Sequence, residues 1–213
     1  MKENPEFIHL RTHTSYSLLE GAILPDELLD LCKKKKMPAV GITDTGNMFG
    51  SLEISEKLSK EGIQPIIGCQ LDVSISFDGK KDFKPIIFIA KDNEGYQNLM
   101  KLTSIFFLKN EEEKNNVNLD EIKKYNSGLI CLSGGPSGLI GNLFLRNKIE
   151  KANDVCKWFK KIFNDRFYIE LQRHPKNENR NLDIENITEP FFLELAYKYN
   201  ISIVATNDVY FKD

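Results

Sequence analysis

Short β-branched runs alternate with amphipathic helical stretches along almost the whole chain, and this alternation restricts the fold more than any other feature. The runs, such as PAVGIT at 38–43 and PIIFIA at 85–90, have the length and bulk of buried strands. The stretches between them carry apolar residues at helical spacing. About seven strands, separated mostly by helices, predict an α/β fold, either a parallel sheet or an α/β barrel.

The individual segments follow from their patterns and their turn residues. Asp78-Gly79 is a pair that typically connects the strands of a hairpin, and Asp92 suits the N-cap of a long helix. Polar residues at 109–118 and 175–187 predict surface loops. Strands are predicted at 6–13, 37–44, 64–75, 84–90, 128–134, 166–172 and 201–208. Helices are predicted at 26–36, 49–62, 92–108, 119–125, 138–146, 150–163 and 186–200.

Composition predicts one domain over residues 1–213 in a reducing compartment. The chain of 213 residues is 41% hydrophobic with a net charge of −2, so no global basic field favours nucleic acid. The four cysteines form no C-x-x-C pair, and the N-terminus lacks an apolar signal region. We expect a cytoplasmic location without membrane contact, and we expect the domain to belong to a longer protein.

Polar residues lie at the ends of nearly all the predicted strands, and Gln70 lies within the third strand. In α/β barrels, residues from distant strands converge at this carboxyl face, where sites are assembled. Imidazole and carboxylate groups there suit zinc, manganese or iron, and paired metals can promote phosphoester hydrolysis. The residues in question are His13, Asp44, Thr45, Gln70, Ser133 to Gly135, His174 and Asp208.

The donors are too few for a multi-metal centre. The sequence has three histidines, and Arg11 stands between two of them, His9 and His13. By strand alternation Arg11 would point to the same side as both, placing a cation at the mouth of the pocket. An arginine cannot ligate a metal and repels cations. The residues themselves therefore leave open whether this is a working site, a remnant or a loop.

Four motifs resemble one known family. FIHLRTHTSYSLLEGA, AVGITDTGNMFGSLEI, IQPIIGCQLDV and IVATNDVYF occur in this order and are similar to the N-terminal polymerase-and-histidinol-phosphatase (PHP) domain of bacterial DNA polymerase III alpha subunits. The resemblance covers essentially the whole chain. It implies a distorted seven-stranded (β/α) barrel of the PHP type, which precedes the palm, thumb and fingers of a C-family replicative polymerase.

The resemblance also implies that the metal site has degenerated. Metal-binding members carry ligands at five positions where this chain has other residues: Arg11, Thr45, Gln70, Gly135 and Tyr210. The remnant metal-site positions are His13, Asp44, His174 and Asp208. Each substitution removes a lone pair or a negative charge, so we expect no bound metal and no catalytic residue. An ion pair of Arg11 with Asp44 or Asp208 is our specific hypothesis for what fills the space.

The expected function is therefore structural. The resemblance implies a module that contacts the rest of the alpha chain and binds a proofreading exonuclease (epsilon-type) subunit, with the replicase holoenzyme and DNA reached through the parent polymerase. The loops at 109–118 and 175–187 are candidates for the exonuclease contact. The alternative is a 3′–5′ exonuclease, phosphoesterase or pyrophosphatase that retains Zn or Mn. Polymerase chemistry would need Mg on palm carboxylates beyond residue 213.

Overall fold

Helices and strands alternate along the part of the chain that the computed structural model describes, residues 7–77, 80–108, 115–174 and 183–212. None of its helices is long and apolar enough to cross a membrane. The strands are β1 (Ala39–Ile42), β2 (Gln64–Phe77), β3 (Lys80–Ala90), β4 (Val117–Asn118), β5 (Leu129–Leu132), β6 (Phe167–Gln172) and β7 (Ser202–Thr206). The helices are α1 (Pro25–Lys34), α2 (Ser51–Lys60), α3 (Asn93–Leu108), α4 (Leu119–Lys124), α5 (Leu139–Leu145), α6 (Ile149–Phe163) and α7 (Asp183–Tyr199).

The strands form one curled, seven-stranded sheet in the order β1-β2-β3-β5-β6-β7, with β4 paired to β2. This confirms the predicted α/β fold with seven strands. The sheet is mixed, because β3 runs antiparallel to both β2 and β5. β2 and β3 are consecutive in the chain and pair antiparallel, from Gly68 with Ile89 to Phe77 with Lys80. The hairpin turn predicted at Asp78-Gly79 lies outside the described residues.

The first predicted strand, 6–13, is not a regular strand over its described residues. Instead, isolated bridges join Thr12 to Val209 and Thr14 to Ile23. The segment lies beside β1, because Gly41 N donates to the carbonyl of His9 at 2.7 Å. It thereby connects β1 to the chain that follows β7. The polar groups of residues 11–14 are consequently held beside the carboxyl ends of β1 and β7. We call this region the barrel mouth.

Part of each segment predicted as a surface loop belongs to a strand or a helix. Residues 117 and 118 form β4, which pairs in parallel with Val73 and Ser74 of β2. Helix α7 begins at Asp183, so 183–187 are helical and the predicted loop is wrong there. Residues 109–114 and 175–182 lie outside the described part of the chain.

Apolar side chains fill both faces of the sheet. The largest cluster packs β2, β3, β5 and β6 against α3, α5, α6 and α7, and a second lies under α1 and α2. On the opposite face of β3 and β5, Ile87, Ile89 and Leu132 are buried against Leu10 and Tyr168. Gln70 pairs in register with Ile87. This inner cluster therefore adjoins the polar residues of the barrel mouth.

Candidate functional site at the barrel mouth

The guanidinium of Arg11 lies at the centre of the polar residues. The side chain is only 1% exposed. Its Nη2 and Nε donate to Gln70 Oε1 at 2.7 and 3.2 Å, and its Nη1 donates to the carbonyl of Gly134 at 3.5 Å. Gln70 in turn donates from Nε2 to Thr45 Oγ1 at 3.3 Å. Two positions that the resemblance identified as lost ligands, Arg11 and Gln70, thus bond to each other.

Two carboxyl groups lie against the same guanidinium. Arg11 Nε is 3.1 Å from Asp208 Oδ1, and Arg11 Nη1 is 3.7 Å from Glu170 Oε1. The first contact confirms one form of the ion-pair hypothesis. The other form, a pair with Asp44, is not what the structure shows. The positive charge of the site is therefore carried by a buried side chain of the protein, Arg11.

His13 lies beside this ion pair and is fully buried. Its Nε2 is 3.1 Å from Asp208 Oδ1, and its Nδ1 is 3.2 Å from Thr45 Oγ1. The ring of Tyr210 stacks on the imidazole at a centroid distance of 4.2 Å and an interplanar angle of 5°. Tyr210 thus covers one face of His13 with an aromatic surface instead of offering a metal ligand.

The same surroundings shift two acidic groups. Burial acts to raise the pKa of Asp208, but the contacts with His13 and Arg11 outweigh it, and the net pKa lies below its ordinary value. Burial, reinforced by the charge of Asp208, raises the pKa of the Tyr210 phenol to about 12. At neutral pH the site therefore contains a charged carboxylate and a neutral phenol.

Asp44 is used by the backbone turn that precedes α1. Its Oδ1 accepts from the backbone N–H of Thr14 at 2.6 Å and from Ser17 Oγ at 2.7 Å, and its Oδ2 accepts from Thr14 Oγ1 at 2.9 Å. The carboxylate thus satisfies a turn N–H and two hydroxyl groups. This is the structural role expected of it if it holds no metal.

A ligating side chain at position 135 would have to displace the Gln172 side chain. The φ of Gly135 is +59°, and a Cβ placed there would lie 2.9 Å from the amide carbon of Gln172. The neighbouring Gly134 donates its N–H to Glu170 Oε2 at 2.6 Å. The turn after β5 therefore binds a protein carboxyl group through its backbone.

His174 is directed to a different partner. Its Nδ1 is 2.6 Å from Glu185 Oε1, and its backbone N–H donates to Glu185 Oε2 at 3.0 Å. Glu185 belongs to α7, in the segment expected to be loop. His174 therefore connects the end of β6 to α7. Asp208, by contrast, contacts both Arg11 and His13.

Glu170 is the site residue that sequence reasoning missed. It is fully buried in β6 and accepts from Thr206 Oγ1 at 2.6 Å as well as from Gly134. The signal was a lone glutamate inside the apolar run FYIEL. An ionisable residue in the middle of a buried strand requires partners, and this was the clue to its place in the network.

A protein-family comparison decides the relationship, because residues 9–174 match the PHP domain. The chain belongs to the PHP family. The matched range includes the residues described above around Arg11, except Thr206, Asp208 and Tyr210, which lie beyond residue 174.

Known proteins support the same assignment. The chain is 40% identical over 207 residues to DNA polymerase III subunit alpha of Rickettsia bellii, covering 97% of this chain and 17% of that protein. It is 38% identical over 214 residues to the same subunit of Caulobacter vibrioides, covering 98% and 18%. The PHP domain thus spans less than one fifth of these relatives and matches their N-terminal region.

A solved structure supports the fold alone. A Bifidobacterium adolescentis protein, provisionally named a metal-dependent phosphoesterase, superposes with a TM-score of 0.61 at 12% identity. The superposition covers 99% of this chain and 90% of that one.

The donor set of this PHP domain does not fit a metal centre. Among the described residues, no three or more His, Cys, Asp or Glu side chains are grouped so that they could hold a metal ion. Asp208 contacts a guanidinium, Asp44 is bonded by Thr14 and Ser17, and His174 contacts Glu185. A metal bound to Asp208 would have to approach the cation of Arg11.

Proposed function

We propose that this PHP domain is a non-catalytic module of a cytoplasmic replicative DNA polymerase of the polymerase III alpha type. It contacts the polymerase part of its own chain and binds a proofreading exonuclease subunit of the epsilon type. The replicase holoenzyme and DNA are reached through the parent polymerase. The observation that carries the proposal is the buried Arg11 guanidinium in contact with Asp208 and Gln70.

The chemistry of Arg11 supports a structural role. A divalent cation and a guanidinium can both neutralise carboxylates, but a guanidinium cannot act as a Lewis acid that lowers the pKa of a bound water. It cannot generate the nucleophile that phosphoester hydrolysis requires. The Mg that polymerase chemistry needs is expected on carboxylates elsewhere in the parent polymerase.

The proposal is tested with the full-length polymerase chain. Hydrolysis of bis-p-nitrophenyl phosphate is measured with added Zn or Mn, for the natural protein and for Asp208→Asn. We expect background rates for both, together with a stable complex with the exonuclease subunit in size-exclusion chromatography. Hydrolysis that Asp208→Asn abolishes would support the alternative, a metal-dependent 3′–5′ exonuclease, phosphoesterase or pyrophosphatase. Absence of the complex would contradict the binding role.

A further inference from the structure

An exposed apolar surface borders the barrel mouth. We call it the apolar rim, and its side chains are between 48% and 107% exposed. It comes from three parts of the chain: the turn before α1, the loop into α2 and the last turn of α3. Its residues are Leu18, Leu19, Phe49, Leu52, Phe107 and Leu108.

Contacts within the structure join the three parts. The rings of Phe49 and Phe107 stack at a centroid distance of 6.4 Å. Asn47 Nδ2 donates to the carbonyl of Tyr16 at 2.9 Å, and the backbone N–H of Thr45 donates to Ser17 Oγ at 3.1 Å. The first two loops are therefore held side by side, and the rim is one surface.

Leu19 is held in an unfavourable backbone conformation. Its φ is +65°, in the left-handed region that favours glycine, and its side chain is fully exposed. Strain of this kind persists where the surrounding structure imposes it, and it occurs at sites of binding. Here the strain presents an apolar side chain to solvent next to another one, Leu18.

The charges bonded beside the rim argue against nucleic acid and anionic lipid as its occupant. Glu20 accepts from Thr45 Oγ1 at 2.6 Å, and Glu53 of α2 accepts from the Tyr16 hydroxyl at 2.7 Å while pairing with Lys57 at 3.1 Å. Phosphate backbones and lipid headgroups bind to cationic surfaces, whereas Lys57 is paired with the carboxylates of Glu53 and Asp26. Such an apolar surface fits the apolar face of a protein.

We propose that the apolar rim is covered by a later part of the same polypeptide. This inference rests on the proposed function, because it takes this domain to be part of a polymerase chain. Its relatives extend far beyond the matched region, which makes up 17–18% of their length. A tethered partner is present at high effective concentration. An exposed apolar patch of this kind favours aggregation. Permanent protein interfaces are more apolar than transient ones.

Photo-crosslinking in the full-length chain tests the inference. Leu18 is replaced by p-benzoylphenylalanine, and Tyr197, which is 93% exposed on α7, receives the same probe as the matched control. After irradiation of dilute protein with the exonuclease subunit, we expect position 18 to link to residues beyond 213 of its own chain. The yield of cross-linked product should exceed that at position 197 by about tenfold, because a tethered surface is present at high effective concentration.

Three results would overturn the inference: links from position 18 to the exonuclease subunit, links to a second copy, or a yield no higher than at position 197. Hydroxyl-radical footprinting of the unsubstituted chain is a second measurement that needs no variant. We expect oxidation of Phe49 and Phe107 to be suppressed relative to that of Tyr197. A metal-dependent hydrolase activity would contradict the proposed function, whereas a changed cross-link pattern would contradict only this inference.

Discussion

At the scale of single residues, Arg11 uses both the charge and the shape of its side chain. Its three nitrogens contact Gln70, Gly134, Asp208 and Glu170. A lysine carries the same charge on one nitrogen and cannot reproduce this fork. The site therefore depends on the guanidinium itself.

Replacing Arg11 by Met should destabilise the 213-residue chain by about 3–5 kcal/mol, because Asp208 and the fully buried Glu170 would lose their cation. Urea unfolding followed by circular dichroism measures the difference. The matched control is Arg146→Met, since Arg146 forms an exposed pair with Asp82 and should change the stability by less than about 1 kcal/mol. Equal effects of the two substitutions would refute the role given to Arg11.

The stabilising effect of Asp208 should depend on pH. Its folded-state pKa lies below the ordinary value of 3.8. Its charge therefore stabilises the fold above that value, and this contribution is lost as the pH falls through the folded-state pKa. The difference in unfolding free energy between the natural chain and Asp208→Asn should shrink as the pH falls below about 4. A difference that is constant with pH would contradict this.

Residue patterns revealed part of the site. Polar residues at strand ends indicated His13 and Asp208, because parallel strands bring their carboxyl ends together, and strand alternation placed Arg11 on the same side as His13. Glu170 was missed, since it lies within a strand and its partners come from the turn after β5 and from β7. The Glu185 contact of His174 was hidden as well, because the start of α7 has the polar composition of a loop.

At the scale of elements, the segment 9–14 closes on β1 through Gly41. A Cβ at Gly41 would lie 2.4 Å from the carbonyl oxygen of Leu10. Gly41→Ala should therefore force the two segments apart and destabilise the chain by about 3 kcal/mol or more. Gly62→Ala is the control, because its Cβ would meet nothing within 4 Å and only its φ of +74° is unfavourable, at about 1–2 kcal/mol. Thermal or urea unfolding ranks the two, and the reverse order would refute the proposed close packing.

The helices and longer strands were predictable because their apolar periodicity is strong. The hairpin signal at Asp78-Gly79 indicated that β3 runs antiparallel to β2. Its antiparallel pairing with β5 was not predictable, since a strand pattern carries no information about the orientation of a distant partner. β4 has only two residues, too few for any periodicity, and it exists because β2 offers it a partner. The same holds for residues 9–14, whose pairing is imposed by β1 and the chain after β7.

At the scale of the whole molecule, all four cysteines lie in the packed interior. Burial raises the pKa of Cys32 to about 11 and that of Cys156 to about 12, and it also raises the pKa of Cys69 and Cys131. Labelling of the native chain by a thiol reagent at neutral pH should proceed only as fast as unfolding exposes these groups. Rapid labelling of any one of them in mass spectrometry would show that the surrounding packing opens locally.

The metal content of the purified protein, determined by elemental analysis after dialysis against trace zinc and manganese, shows whether Arg11 has taken the place of a metal at the barrel mouth. Asp208→Asn, prepared identically, is the control for metal bound at the barrel mouth. Since Arg11 occupies the centre of the polar cluster, we predict background metal in both proteins. Near-stoichiometric metal in the natural protein that is lost in Asp208→Asn would contradict this prediction. It would show that the barrel mouth still binds metal, as a metal-dependent hydrolase requires.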